Sequence, residues 1–471
     1  MADDRYLLVP VASGIARARL KRAKRHRHLL EGSALLVVGA AIQAGSGAIF
    51  WLIAAKLDVE ADVGSAAKLS QSILFVTYLA SLGLPVALAR YAADRDDDSD
   101  TTFTWAVIAT STIAGILGLG YVAVLHSSAT DVLTDWDGLL GPLVFAATTI
   151  GAALSMIADV RCMTARRWNL VMFRITLVGL VRFPLLFLAR DHGHRALWLF
   201  VFSSGPVALS GYVGAFLAPR FAGGRMRLGP RPAAMAQAIR YSAVNYLSTL
   251  AYQAPYFALP VIVLASVSSE SYASFNVAWG IVAVAFYVPT ALGQALLAEG
   301  GRDGARLRSQ VRLALVLALG LMVAGAMVTA VGRDIVTAVY GDGYSDAARV
   351  LPAMVAAGIP WAITSLLLSE VRILHRHSAT VAITLALTAA IVIPALLLVP
   401  EGGLSPDGID GASISWLIGN VVAAVVAIAA SRISHARGQA DPTVDDDPAL
   451  DEPGTAADAT EVGITLDVHS A

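Results

Sequence analysis

Arg161-Cys-Met-Thr-Ala-Arg-Arg-Trp-Asn-Leu-Val-Met-Phe-Arg-Ile-Thr-Leu-Val-Gly-Leu-Val-Arg-Phe-Pro-Leu-Leu-Phe-Leu-Ala-Arg190 is a short basic turn followed by a long apolar run. About 20 apolar residues match the roughly 30 Å hydrocarbon core of a bilayer, and a helix hides its own backbone polar groups there. The same pattern recurs along the 471-residue chain, with spans expected near 32–55, 65–92, 102–126, 139–160, 169–190, 195–218, 237–265, 272–298, 310–331, 348–371, 379–400 and 411–433. The composition agrees, at 56% hydrophobic and 15% charged residues, which is less charge than a soluble protein of this length carries. The chain reads as an all-α polytopic membrane protein of about twelve transmembrane helices, and transport is its default role.

The connecting segments fix an orientation. Arg161, Arg166 and Arg167, then Arg220, Arg225, Arg227, Arg231 and Arg240, then Arg302, Arg306 and Arg308, then Arg372 and Arg376 fall on one side. The opposite segments near 127–138, 266–271 and 401–410 hold no Lys or Arg. Arginine-rich loops stay in the cytoplasm, so both termini are expected there, with the chain in the cell membrane. Lys56, Arg190, Arg195 and Arg333 are the exceptions on the outer side, and the acidic stretch from Asp94 to Asp100 is an inner loop.

Charge is also segregated at the ends. Residues 1–31 form a basic arm, with Arg17, Arg19, Lys21, Arg22, Lys24, Arg25 and Arg27. It suits anionic lipid and topology better than nucleic acid, which is not an expected partner. Residues 434–471 form a polar tail carrying Asp445, Asp446, Asp447, Asp451 and Glu452, expected to be disordered. The apolar run after the arm is too long for a signal-peptide core and reads as an uncleaved first helix. A single cysteine, Cys162, excludes an intramolecular disulfide framework. No P-loop, catalytic constellation or metal-ligand spacing is present, so neither enzyme activity nor a cofactor is expected.

The Pro-, Gly- and Arg-rich segment 219–236 divides the chain into an N-lobe, 32–218, and a C-lobe, 237–433, with six spans each. Two such halves enter the membrane from the same side, so their repeat would be parallel. A shift of 209 residues places Ser65 on Ser274, Tyr78 on Tyr287, Leu88 on Leu297 and Ala89 on Ala298.

Three stretches carry a family resemblance. They are Leu79-Ala-Ser-Leu-Gly-Leu-Pro-Val-Ala-Leu-Ala-Arg-Tyr91, Tyr340-Gly-Asp-Gly-Tyr-Ser-Asp-Ala-Ala-Arg-Val-Leu-Pro352 and Gly408-Ile-Asp-Gly-Ala-Ser-Ile-Ser415. They resemble the polysaccharide flippase branch of the multidrug/oligosaccharidyl-lipid/polysaccharide exporter superfamily, over about Gly32 to Ser431. Physically they are structural: Gly341 and Gly343 permit a tight turn, Tyr344 suits an interfacial aromatic belt, and Gly408 and Gly411 let backbones approach. The resemblance implies two pseudo-symmetric six-helix lobes around a central cavity. It also implies a polyprenyl-pyrophosphate-linked glycan, flipped from the inner to the outer leaflet by alternating access. Membrane lipids, a glycan polymerase and glycosyltransferases are the corresponding partners.

Candidate binding residues follow from the spans. Arg174 and Arg182 lie in the fifth, about 80° apart in azimuth at roughly 100° per residue. Mid-helix arginine is costly in lipid and normally faces a cavity or a partner, and a pyrophosphate suits its forked donors. Snorkelling or pairing within the lobe is the competing reading. Lys68, Gln71 and Ser72 form a polar face on the second span, with Gln43 in the first. Asn245, Tyr252, Gln253, Asn276 and Gln294 are candidates for sugar contact, or simply tie helices together.

Three rivals stand beside the flippase. A cation-coupled multidrug exporter of the same fold should hold an acidic residue deep in a lobe; the first span has none after its edge, and Asp159 lies near a cytoplasmic end. A membrane-embedded glycan polymerase or ligase needs a large outer loop, which is missing. A non-transporting scaffold for envelope biosynthesis remains compatible with the sequence.

Overall fold

The computed structural model describes residues 38–39, 42–43, 45–81, 83–85, 88, 97–124, 132–133, 138–165, 167–188, 193–229, 250, 252–300, 304–374, 376–400 and 408–440. The basic arm, the tail from residue 441 and Asn245 lie outside the described residues, while residues 434–440, expected as the start of the disordered tail, continue the last helix. All regular structure described is helical.

The N-lobe contains α1 (Gly45–Leu57), α2 (Glu60–Ser81), α3 (Asp97–Val124), α4 (Leu140–Thr164), α5 (Trp168–Leu188) and α6 (Arg195–Phe221). The C-lobe contains α7 (Tyr252–Ser266), α8 (Ser269–Gly300), α9 (Gly304–Val331), the short α10 (Arg333–Tyr340), α11 (Ser345–Ala356), α12 (Gly358–Ile373), α13 (His377–Leu398) and α14 (Gly408–Ala440). Nine of the described stretches are long and apolar enough to cross a membrane alone, α11 and α12 together making one. With the shorter α1 and α7, and with α2, these account for the twelve expected crossings.

Two details differ from the sequence reading. The tenth span is broken at Ala357 into α11 and α12. Pro360 has no N–H to bond the carbonyl of Ala356, so the helix cannot run straight through. The segment after the ninth span is not a plain loop, because α10 turns its apolar Val336 inward.

The repeat is visible in the helix breaks. α1 ends at Leu57 and α2 starts at Glu60; α7 ends at Ser266 and α8 starts at Ser269, each 209 residues later. The α4–α5 break, Thr164 to Trp168, recurs at the α12–α13 break, Ile373 to His377, at the same spacing.

Small residues set the closeness of packing. A Cβ on Gly211 would lie 1.8 Å from the Gly151 carbonyl oxygen, so α4 and α6 touch backbone to backbone. In the C-lobe, a Cβ on Gly419 would lie 2.1 Å from Ile391 Cγ1, and one on Gly411 2.3 Å from the Leu398 carbonyl oxygen. Gly411 therefore does what the sequence suggested.

The lobe interiors differ. The C-lobe is filled by rings: Tyr256, Trp279 and Phe286 all lie against Trp416 at centroid distances of 5.3, 5.0 and 5.3 Å. The N-lobe adds buried hydroxyls and ion pairs to its rings, among them Phe145 stacked 6.2 Å from Phe200. Ser70 bonds Ser203 at 2.7 Å, and Ser72 bonds Tyr121 at 2.7 Å. Arg161 bonds Asp100 at 2.7 Å and Ser99 at 2.8 Å, while the backbone N–H of Arg225 reaches Asp100 at 2.8 Å. The acidic stretch expected as a loop thus enters α3 at Asp97, and Asp100 is held by the basic segments around it. Arg195, an exception on the outer side, is paired with Asp58.

Candidate functional site

The lobes are joined where α2 crosses the start of α8. A Cβ on Gly64 would lie 1.7 Å from the Ser269 carbonyl oxygen, so no side chain fits between them. Ser65 Oγ donates to Ser269 Oγ at 2.9 Å, and Lys68 Nζ donates to the Val267 carbonyl at 2.7 Å. Lys68 also lies 5.7 Å from the centre of the Tyr272 ring. Gly341 holds φ +110°, a glycine conformation, and starts the turn that brings Gly343 against Glu60 of α2. Tyr344 follows it inward and is 1% exposed, not at the membrane interface as its motif suggested, because it closes this joint. This is the end that the arginine pattern leads one to expect outside.

Beside the joint lies an inter-lobe cavity of ≈ 410 Å³. Its wall is aromatic and aliphatic: Trp51, Leu74, Tyr256, Phe257, Trp279 and Tyr340. Gln71, Asn276 and Thr329 supply its polar points, and no charged side chain lines it among the described residues. Gln71 of α2 and Asn276 of α8 thus line one cavity from opposite lobes.

A second cavity, of ≈ 80 Å³, lies inside the N-lobe between α1, α2, α4, α5 and α6. It holds both arginines. Arg174 is taken up by Asp159: Nε donates to Oδ1 at 2.8 Å, Nη2 to Oδ2, and Nη1 to Ser210 Oγ at 3.2 Å. Arg182 is 3% exposed and faces Gln43, Ser46, Ser70, Thr77, Ser203 and Ser204. The two arginines do share one cavity, but it lies within a lobe, not on the path between lobes. Their azimuths point into the five-helix interior because the opposite face of α5 carries Phe173, Leu177 and Leu180, which are exposed to lipid.

The remaining candidates have other places. Lys68 is fully buried in the outer joint and lines neither of the two cavities. Tyr252 is in the C-lobe core, 5.9 Å from the Trp361 ring with Arg372 5.4 Å from its centre. Gln253 is buried at 2%. The side chain of Gln294, like Asn245, falls outside the described residues. Sequence reasoning missed Trp51 of the first span and Trp279 of the eighth, whose signal is a tryptophan within an apolar run. It also missed Glu370, an acid inside the tenth span, 3% exposed and hydrogen-bonded by Ser431 Oγ at 2.6 Å. Asp159 is likewise 3% exposed, so buried carboxylates do exist within both lobes.

No family model and no curated protein matches the sequence. Solved structures do match. An inward-facing multidrug resistance MATE family transporter of the MOP superfamily superposes with a TM-score of 0.62 at 15% identity, covering 87% of this chain and 96% of that one. The chain has the fold of these transporters. A MATE structure in complex with MaL6 gives 0.57 at 15% identity over 88% and 97%. An outward-facing MATE transporter gives 0.53 at 16% identity over 87% and 96%.

Proposed function

We propose that this chain is a membrane transporter that exports a small amphipathic organic molecule by alternating access of its two lobes. The observation that carries this reading is the inter-lobe cavity. An aromatic and aliphatic wall with Gln71 and Asn276 on opposite sides suits an apolar body with one or two hydrogen-bonding groups. The fold shared with multidrug transporters supports the same reading. A pyrophosphate-linked glycan needs cations on its path, and Arg174 and Arg182 are withdrawn into the N-lobe. The cation-coupled exporter thus gains over the flippase, and Asp159 and Glu370 supply the buried acids whose lack had counted against it.

The test is efflux from proteoliposomes loaded with a lipophilic fluorescent dye, under an imposed proton or sodium gradient. Wild-type protein should release dye, and Trp279→Ala and Asn276→Leu should slow release with unchanged insertion. No dye movement, together with restored surface polysaccharide in cells lacking a lipid-linked glycan flippase, would return the reading to the flippase.

A further inference from the structure

We propose that the N-lobe cavity is a binding site for a small monovalent anion of the chloride class, held between Arg182 and Thr77. The inference does not rest on the cargo assigned above.

Arg182 carries a permanent charge, since guanidinium does not deprotonate in proteins. No carboxylate or hydrogen-bond acceptor meets it among the described residues, and its Nε is buried without a partner. The Thr77 hydroxyl, on the wall of the same cavity, is also buried without a partner. An uncompensated buried ion is among the costliest arrangements in a folded chain. The other hydroxyls in the cavity are committed. Ser203 donates to the Phe200 carbonyl at 2.9 Å and Ser46 to the Gln43 carbonyl at 3.0 Å. Ser204 reaches Ser70 at 3.3 Å, and Ser70 in turn is left to donate to Ser203. Arg182 and Thr77 are therefore the buried donors left without a partner, both ask for an acceptor, and the Gln43 side-chain amide lies on the same wall.

The sign of the ligand follows from the charges. Arg174 and Asp159 neutralise each other, which leaves one net positive charge, on Arg182. A cation is excluded on that ground. The size follows from the ≈ 80 Å³ volume, which holds a monatomic anion with a few waters and not a lipid-linked pyrophosphate.

The twin lobe shows that the fold does not need these groups. At the 209-residue spacing of the repeat, Arg174 and Arg182 correspond to Ile383 and Ile391, both 0% exposed, and Thr77 corresponds to Phe286. The C-lobe closes the same place with hydrocarbon. The polar set is thus a specific property of the N-lobe.

Its position is next to the inter-lobe cavity. Leu74 lines both cavities, and a Cβ on Gly47, a residue of the inter-lobe wall, would lie 3.9 Å from Arg182 Nη1. The anion would sit one helix behind the cargo.

The experiment is thermal unfolding of the detergent-solubilised full chain while chloride replaces gluconate at constant ionic strength. Wild type should gain stability saturably with chloride and with bromide. Arg182→Gln should lose the saturable response, and Arg182→Lys should raise the half-saturating chloride by roughly tenfold, the loss of one charge-assisted hydrogen bond. Arg220→Gln, on the exposed end of α6, should respond as wild type. Equal stability in chloride and gluconate, or an unchanged response in Arg182→Gln, overturns the proposal. Protection by inorganic phosphate and not by chloride overturns it too, because the site would then select a polyatomic, multiply charged anion. Should Arg182→Gln fail to fold, bromide-soaked wild-type crystals decide: anomalous density beside the guanidinium supports the site, and its absence removes it.

Discussion

Replacing Lys68 with Met tests whether the outer joint is a gate. Lys68 is fully buried, donates to the Val267 carbonyl at 2.7 Å and lies 5.7 Å from the Tyr272 ring centre. A hydrogen bond from a charged donor contributes about 1.5–3 kcal/mol, and the desolvation of the ammonium offsets part of that gain. A net loss of about 2 kcal/mol from the joined state is the working figure, or roughly 30-fold in the equilibrium between joined and parted lobes. A resting ratio of about 100 to 1 would fall to about 3 to 1, raising the parted population from about 1% to about 25%. Met keeps much of the volume, so packing changes little. Spin labels at Val59 and Val331, both exposed at 65% and 88%, after Cys162→Ala, report the separation of the lobes at this end by pulsed dipolar spectroscopy. A second, longer distance should appear in Lys68→Met. An unchanged distribution would mean that Lys68 is a static fastening and that the lobes do not part here.

Asp159→Asn leaves Arg174, only 15% exposed, charged without its carboxylate, which should lower stability by about 3 kcal/mol, whereas Asp159→Asn with Arg174→Met should recover most of it; thermal unfolding of the purified variants measures both. For orientation, cysteines at Thr130 and Ser405 should react with an impermeant thiol reagent in intact cells, and cysteines at Arg225 and Ala305 only after permeabilisation. A reversal at either pair would invalidate the arginine argument.

Most of the architecture was legible because membrane spans announce themselves by apolar length. Even the repeat could be read, since Ser65 and Ser274 are twins and sit on the two helices that join the lobes. What could not be read was which way each helix faces. In water a helix shows its buried side by its apolar stripe, but in lipid both sides are apolar and the stripe fades. That is why Arg174 and Arg182 could be placed in one cavity but not in the right one. Lys68 misled for a related reason: its acceptor is a backbone carbonyl, at Val267, which leaves no mark in the side-chain pattern. Glu370, Trp51 and Trp279 were visible as residue types, but only packing shows that they are interior.

α2 has a consequence for how the protein is made. It is not apolar enough to enter a bilayer unaided, because Glu60, Asp62, Lys68 and Gln71 interrupt it. The groups that satisfy it are far along the chain: Ser203 is 133 residues from Ser70, and Val267 is 199 from Lys68. At about 5–20 residues per second, a ribosome needs roughly 7–27 s to reach the first and 10–40 s to reach the second. During that time the nascent α2 must be sheltered by the insertion machinery or lie at the lipid surface. Slower synthesis ahead of α6 would lengthen its exposure to quality-control proteases, so the yield of finished protein should depend on codon choice there even though the finished molecule is identical.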